Sequence, residues 1–384
     1  MAPKTMVLCA AALVCFQTAA PAGRAFIAGA DFSDLAFFES QGVSYKDGGQ
    51  VKDGLEILKS HGVNCVRLRL FTSSAAQAAA DPYNYINNTA YTVPLAVRVK
   101  HAGLLLSLDF HYSDTWADPQ HQAMPAAWKD LDFPRLLQQM YLYNSNTIAT
   151  FAAAGAMPDF VQVGNEVTPG MLWPVGRLRR DDETSWSRLG QLMKAAVRGI
   201  EDAAGARRPG IIIHIDRGAD WPATQWFFDH LNAQDVPYDI IGESYYSFFH
   251  GPPASLSNCL NRAAARYNKP IMVAEDAFPW TNACPARWTS RLYGFPPTIN
   301  SQAGFVAAVG EIVKNLPHQL GAGFFYWGAE YQAVDGVQEA GYNTSSFFDF
   351  NGNVLPVVDA VGAMAGGRVS SPLVERRSLE PIRN

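Results

Sequence analysis

Cysteine is scarce and charge is unremarkable. Five cysteines in 384 residues are too few for a disulfide scaffold. No basic run offsets a formal net charge of −5, which argues against nucleic acid as a partner. Beyond the N-terminus no apolar run reaches the length that spans a bilayer. The first strand-like segment is not followed by a GxGxxG turn, which counts against a nucleotide-binding sheet. The chain shows no solenoid repeat and no second domain.

What is present is a large apolar fraction. Hydrophobic residues make up 48% of the chain, enough for the core of one large domain. The N-terminus has the order of a secretory signal. Lys4 supplies the positive region, Met6 to Phe16 the short apolar core, and Ala20, Ala22 and Ala25 the small residues of a cleavage site. Cleavage after Ala25 would start the mature chain at Phe26. The expected organisation is a signal over 1–25, one domain over 26–365 and a flexible tail over 366–384. A secreted or periplasmic location follows, with no membrane attachment once the signal is removed. Loss of the signal removes Cys9 and Cys15. Cys65 lies in an apolar strand and reads as a buried thiol. Export permits a disulfide between Cys259 and Cys284, and the sequence leaves that pairing open. Asn87-Asn88-Thr89 and Asn343-Thr344-Ser345 match the glycosylation acceptor pattern.

Eight strand-like runs recur: Phe26–Ser33, Asn64–Phe71, Leu104–Tyr112, Phe160–Val167, Ile211–Gly218, Ile240–Ser247, Ile271–Phe278 and Gly321–Gly328. Each is apolar and turns polar or aromatic at its end. Helical spacing appears between most of them, over Gln50–His61, Val93–His101, Phe133–Ala153, Trp186–Ala204 and Gln302–Asn315. Such alternation predicts right-handed βαβ units and a parallel sheet. Eight units predict an α/β fold closed as a (β/α)8 TIM barrel, with a doubly wound sheet as the alternative. The long loops Ser113–Leu131 and Thr168–Asp182 follow strands, so they build the face where barrel active sites lie.

The strand ends gather one kind of chemistry. In order they supply Asp31; Arg67 and Arg69; Asp109, His111, Tyr112, Asp114 and Trp116; Asn165, Glu166 and Trp173; His214 and Asp216; Glu243, Tyr245 and Tyr246; Glu275; and Tyr326, Trp327 and Glu330. Two apolar strands each deliver a carboxylate, Glu166 and Glu275, to one rim. That is the pair glycosidic bond cleavage needs: an acid to protonate the leaving oxygen and a carboxylate to meet the oxocarbenium-like centre. Glu166 is expected to be the acid and base, Glu275 the nucleophile. Asn165 would reach the sugar. Arg67 or Arg69 would keep Glu275 ionised, though a purely structural ion pair is an equal reading. Tyr245 is a further donor to Glu275. Asp31, His111, His214, Trp116, Trp173 and Trp327 complete the expected substrate contacts, each with a bland reading as scaffold or core. Glu243 and Glu330 are rival carboxylates. Asp276 should face away from Glu275 across its strand.

Two other classes compete. Asp109-x-His111 and His214-x-Asp216 share strand parity and form a loose metal-ligand pattern. Against it, the HxH pair expected early in metal-dependent amidohydrolases is absent. A sugar-binding barrel without catalysis would keep the aromatics and need neither Glu166 nor Glu275.

The chain also resembles glycoside hydrolase family 53, the arabinogalactan endo-β-1,4-galactanases. The resemblance is densest in Gly29-Ala30-Asp31, in Gly62 to Arg69 (GVNCVRLR), in Asp109 to Pro119 (DFHYSDTWADP) and in Val161 to Pro174 (VQVGNEVTPGMLWP). It implies a (β/α)8 barrel, Glu166 as acid/base, Glu275 as nucleophile, and retaining endo-cleavage of β-1,4-galactan in pectic side chains. The implied partner is that polysaccharide; a monomer and no cofactor are the separate expectations for the chain. The same barrel acting on another β-glycan is the nearest alternative. Two positions depart from the family pattern. Glu243 stands where an apolar residue is usual, and Trp327-Gly328-Ala329-Glu330 replaces the usual Trp-Glu-Pro-Ala. Bacterial members often hold calcium between the last two long loops. Here those loops read as short and lack an EF-hand-type acidic cluster, so no metal is expected.

Overall fold

A computed structural model describes residues 24–180, 182–337, 340–366 and 368–369. The expected signal and tail fall almost wholly outside the described residues. Eight parallel strands close into a barrel. They are β1 (Ile27–Asp31), β2 (Cys65–Leu70), β3 (Leu105–Phe110), β4 (Phe160–Val163), β5 (Gly210–Ile215), β6 (Ile240–Ser244), β7 (Ile271–Asp276) and β8 (Gly321–Tyr326). A principal helix follows each: α1 (Gly54–Ser60), α2 (Thr89–His101), α3 (Phe133–Ala153), α4 (Glu183–Ala204), α5 (Trp221–Ala233), α6 (Pro253–Tyr267), α7 (Ile299–Lys314) and α8 (Val357–Gly362). All eight strands match expected runs. The doubly wound alternative is excluded because β8 pairs with β1.

Local chemistry explains where the helices start. Asp132 caps α3 by accepting from the Arg135 N–H, with Pro134 in the first turn, so the expected bounds hold. Asn88 caps α2 by accepting from the Tyr91 N–H. The helix therefore begins before Val93 and runs across Pro94. The expected start of α1 at Gln50 is too early. Gln50–Val51 pairs instead with Lys46–Asp47, through a turn whose glycines Gly48 and Gly49 have φ of 57° and 77°. Helices α5 and α6 were not anticipated, although each carries proline in its first turn.

The loops after β7 and β8 are not short. They span 277–298 and 327–356, of which residues 338 and 339 lie outside the described residues. Among the described residues no three His, Cys, Asp or Glu side chains gather as a metal site, in these loops or elsewhere. No described helix is long and apolar enough to cross a membrane. Cys259 and Cys284 are free thiols, not a disulfide. Cys259 lies on α6 against the Thr224 hydroxyl of α5, 3.4 Å away. Asn87 is fully buried, its amide donating to the Ser33 carbonyl and to Asp34, so it is no glycan acceptor in the folded chain.

Apolar side chains fill the floor of the barrel. Ile27, Cys65, Phe160, Ile212 and Met272 cluster there with Ala274 and Phe325. Burying one such large side chain contributes roughly 1.5–3 kcal/mol. Above this floor the same strand faces turn polar. Period two carries Cys65, Arg67 and Arg69 of β2 inward, and likewise Ile212 and His214 of β5, with Asp216 just beyond. Strand β7 breaks the rule once. Glu243 pairs with Val273 but Ser244 pairs with Glu275, so one extra residue is taken up on β7. That bulge turns Glu275 into the lumen and leaves Asp276 outside.

Candidate active site

The polar end of the barrel opens into a cavity of about 700 Å³. Glu166 and Glu275 both line it, with Arg69, His111, Trp116, Asn165 and Trp327. Seven of the eleven expected site residues thus meet in one place.

Strand β4 stops at Val163 because Gly164 and Glu166 take left-handed φ values of 86° and 48°. For a glutamate this conformation is costly, and strain of this kind persists where the surroundings impose it. It lifts the carboxyl of Glu166 off the strand and into the cavity. Its Oε1 lies 2.6 Å from the Ser244 hydroxyl. Burial pushes its pKa well above the usual carboxylate range, and Glu275 and Asp216 push the same way; the Ser244 hydroxyl opposes them only when it is turned toward the carboxylate.

Glu275 is held differently. Arg67 reaches its Oε1 at 2.9 Å, and the Tyr246 hydroxyl donates to its Oε2 at 2.8 Å. Burial raises the Glu275 pKa, but the guanidinium and the phenol both oppose the rise. Two donors on Glu275, and the negative neighbours Glu275, Asp216 and Asp118 around Glu166, favour a shared proton on Glu166.

Arg67 ties the floor of the site together. Besides Glu275 it meets Asp31 at 2.9 Å, Asp109 at 2.8 Å and Asn165 Oδ1 at 2.8 Å. Arg69 does not reach Glu275. It pairs with Asp31 and Asp34, and its guanidinium lies 4.2 Å from the Trp116 ring centre. Trp116 meets Trp327 edge to face at 6.3 Å, and Trp327 meets Tyr342 at 4.3 Å. This aromatic corner forms one wall. His111 accepts from the Ala117 N–H at Nδ1 and places Nε2 3.0 Å from Asp109.

Four expected contacts lie elsewhere. Asp31 is buried beneath the cavity, bound to Arg67, Arg69 and Ser33. His214 is buried behind it, between Asn165 and Ser244. Trp173 donates to the Pro169 carbonyl and stacks under Arg177, away from the cavity lining. Tyr245 points outward. Its hydroxyl donates to the Gly251 carbonyl and its ring stacks on Phe305 of α7. The inward set of β6 is Gly242, Ser244 and then Tyr246, so Tyr246 is the phenol on Glu275. Counting by two from Gly242 finds it.

The rival carboxylates do not enter the cavity. Glu243 faces α5, accepting from the Arg217 N–H and the Thr224 hydroxyl. Glu330 accepts from the Asp34 N–H. Burial pushes both well above the usual range. The metal-ligand alternative also disperses. Asp109 is held by Arg67, His214 by Asn165 and Ser244, and Asp216 by the Thr168 hydroxyl. Asp216, already counted among the strand ends, lines the cavity too, and Asp118, His121, Arg217, Phe249, His250 and Tyr342 line it without having been expected there. Most come from loop tips, where no strand parity applies.

Comparison with known proteins points to one family. A model of glycosyl hydrolase family 53 matches residues 27–361. A probable arabinogalactan endo-β-1,4-galactanase A of Aspergillus fumigatus is 35% identical, covering 85% of this chain and 90% of the relative. A catalytic domain of the same family from Ignisphaera aggregans superposes with a TM-score of 0.80 at 31% identity, covering 88% of this chain and 95% of that one. A fungal β-1,4-galactanase structure gives 0.77 at 31% identity, covering 87% and 98%.

Proposed function

The chain belongs to glycosyl hydrolase family 53 and is a glycoside hydrolase, and on that premise we propose that it cuts β-1,4-galactan internally and with retention, outside the cytoplasm. Glu275 is the nucleophile and Glu166 the acid and base. The observation that carries this reading is the unequal treatment of two carboxyls in one cavity. Arg67 and Tyr246 donate to Glu275, while Glu166 is surrounded by negative charge. The first is stabilised as an anion and the second as an acid.

In the first half-reaction Glu166 gives its proton to the glycosidic oxygen as that bond breaks. A Glu275 oxygen bonds to the anomeric carbon and forms a glycosyl ester. In the second half the Glu166 carboxylate takes a proton from water, and the water oxygen displaces Glu275 from the same carbon. Two inversions leave the configuration unchanged. Retention of this kind calls for carboxyls about 5–5.5 Å apart. The mature domain acts alone, without a bound cofactor.

The test is release of reducing ends from β-1,4-galactan, β-mannan, xylan and cellulose, with Glu166→Gln alongside. Galactan cleavage that vanishes in the variant, with the β-anomer formed first by NMR, is the expected result. Cleavage of a different glycan would overturn the substrate; an α-anomeric first product would overturn retention.

A further inference from the structure

We propose that Ser244 and His214 are positioning residues that keep Glu166 in its proton-bearing form, through a chain of hydrogen bonds that runs one way only, from Glu166 to Ser244 to His214 to Asn165. This rests on the reading of Glu166 as acid and base.

The direction follows from counting protons. Arginine can only donate, and Arg67 Nη2 lies 2.8 Å from Asn165 Oδ1, so that atom is an oxygen. Asn165 Nδ2 agrees by donating to the Ala117 carbonyl at 2.8 Å. His214 Nδ1 lies 3.0 Å from the same Asn165 oxygen and therefore carries a proton. Burial keeps the ring neutral, and Arg67 adds to that effect, so Nε2 holds a lone pair. Ser244 Oγ lies 2.8 Å from Nε2 and must give its single proton there. Only lone pairs on Oγ remain for Glu166 Oε1 at 2.6 Å. Two oxygens that close repel unless a proton lies between them. The one proton left for the contact is that of Glu166.

The arrangement therefore has a preferred state and a costly one. With Glu166 protonated, every link is made. When Glu166 has given its proton to the leaving oxygen, the Ser244 hydroxyl must turn to the new carboxylate. His214 Nε2 then faces a buried lone pair with no donor, which costs about one hydrogen bond. Recovery of a proton from water in the second half-reaction restores the chain. Other charges act on Glu166 as well. Glu275 on β7, Asp216 after β5 and Asp118 after β3 disfavour its anion, the Tyr246 and Tyr342 phenols stand beside it, and Arg217, His121 and His250 share the cavity. His214 itself faces Arg67, Asp109 and His111. The chain is distinct from these because only it passes through the His214 ring.

Two measurements test it. Nitrogen-15 NMR of histidine-labelled enzyme should show His214 as the neutral Nδ1–H tautomer from about pH 5 to about pH 8. An Nε2–H tautomer or an imidazolium in that range overturns the proposal, whether or not any variant folds. In His214→Phe the Ser244 proton is free to serve the Glu166 carboxylate. The alkaline limb of kcat/KM should then move to lower pH by about one unit, while Ser244→Thr, which keeps the hydroxyl, leaves it in place. An unmoved limb in a folded His214→Phe enzyme overturns the chain. Glu166→Gln separates the two failures: full turnover in that variant removes the acid/base reading, whereas lost turnover with an unmoved limb removes only the chain.

Discussion

Arg67 is the side chain whose loss should be felt most widely. It is fully buried and contacts Asp31, Asp109 and Glu275 together, each within 3.0 Å. Arg67→Met keeps much of the volume and removes the one guanidinium that, among the described residues, reaches both Asp109 and Glu275. Removing one partner of a buried ion pair costs roughly 3–5 kcal/mol, because the other charge stays buried and unpaired. Three carboxylates do not triple that figure, since each can bind a proton and shed its charge. The expected loss at pH 7 is therefore about 3–5 kcal/mol, read from urea unfolding at equilibrium. Its pH dependence has a definite sign. Burial raises the Asp109 pKa, yet Arg67 and His111 hold it below its ordinary value. A depressed folded pKa adds stability above the unfolded value of about 3.9 and loses it as pH falls through the folded value. Without Arg67 the same carboxyl is raised by burial, and its penalty eases on acidification. The gap between native enzyme and variant should be widest near neutrality and shrink as pH falls toward about 4. A loss below about 1 kcal/mol at pH 7, or a gap that stays constant on acidification, would refute the reasoning. Arg67→Lys should recover part of the stability, because a point charge cannot span three carboxylates as the planar fork does.

Other perturbations follow from the same geometry. Glu275→Gln should abolish turnover with an unchanged circular dichroism spectrum; measurable turnover would remove it as nucleophile. Tyr246→Phe removes a hydrogen bond to a charged group, worth about 1.5–3 kcal/mol, so kcat/KM should fall about 10- to 100-fold. Tyr245→Phe should stay within about twofold of native, because its hydroxyl serves only a loop carbonyl; equal losses in the two variants would contradict the assignment. The kcat/KM profile should be bell-shaped. Its acid limb belongs to Glu275, which must be ionised, and its alkaline limb to Glu166, whose pKa burial and Glu275 raise. Reductant should leave the melting temperature unchanged, since Cys259 and Cys284 are free thiols; a clear drop would point to a disulfide.

The barrel was readable because its signal is long-range and redundant. Eight apolar runs, each ending in polar residues, survive errors of a residue or two at every boundary. That Glu166 and Glu275 meet in one cavity was readable because two apolar strands each deliver a carboxylate to the same rim; a lone carboxylate at a strand end says less, since Glu243 and Glu330 serve the fold. Arg67 and Arg69 illustrate the limit. Shared parity placed both inside the barrel, but which of them meets Glu275 depends on register against β1 and β3, and no single strand carries that information. Trp173 was misplaced because a loop tip has no parity to count. His214 was placed on the correct face but at the wrong depth: period two gives the side of a strand, and the height above the floor depends on barrel stagger. The disulfide failed for a simpler reason. Cys259 belongs to α6, a helix not anticipated, whose packing on α5 buries the thiol beside Thr224.

The extra residue in β7 has a meaning for how such a gene can change. Point substitutions along β7 alter one contact at a time. Losing or gaining a single codon before Glu275 does something else: the inward and outward sets trade places. Asp276 would then enter the lumen on a shorter side chain, and Glu275 would leave it for the helical shell. A change of residue at this strand should therefore be tolerated more readily than a change of its length. Length variants should accumulate in the loops, where an added residue changes what is grasped and leaves the two carboxyls where they stand.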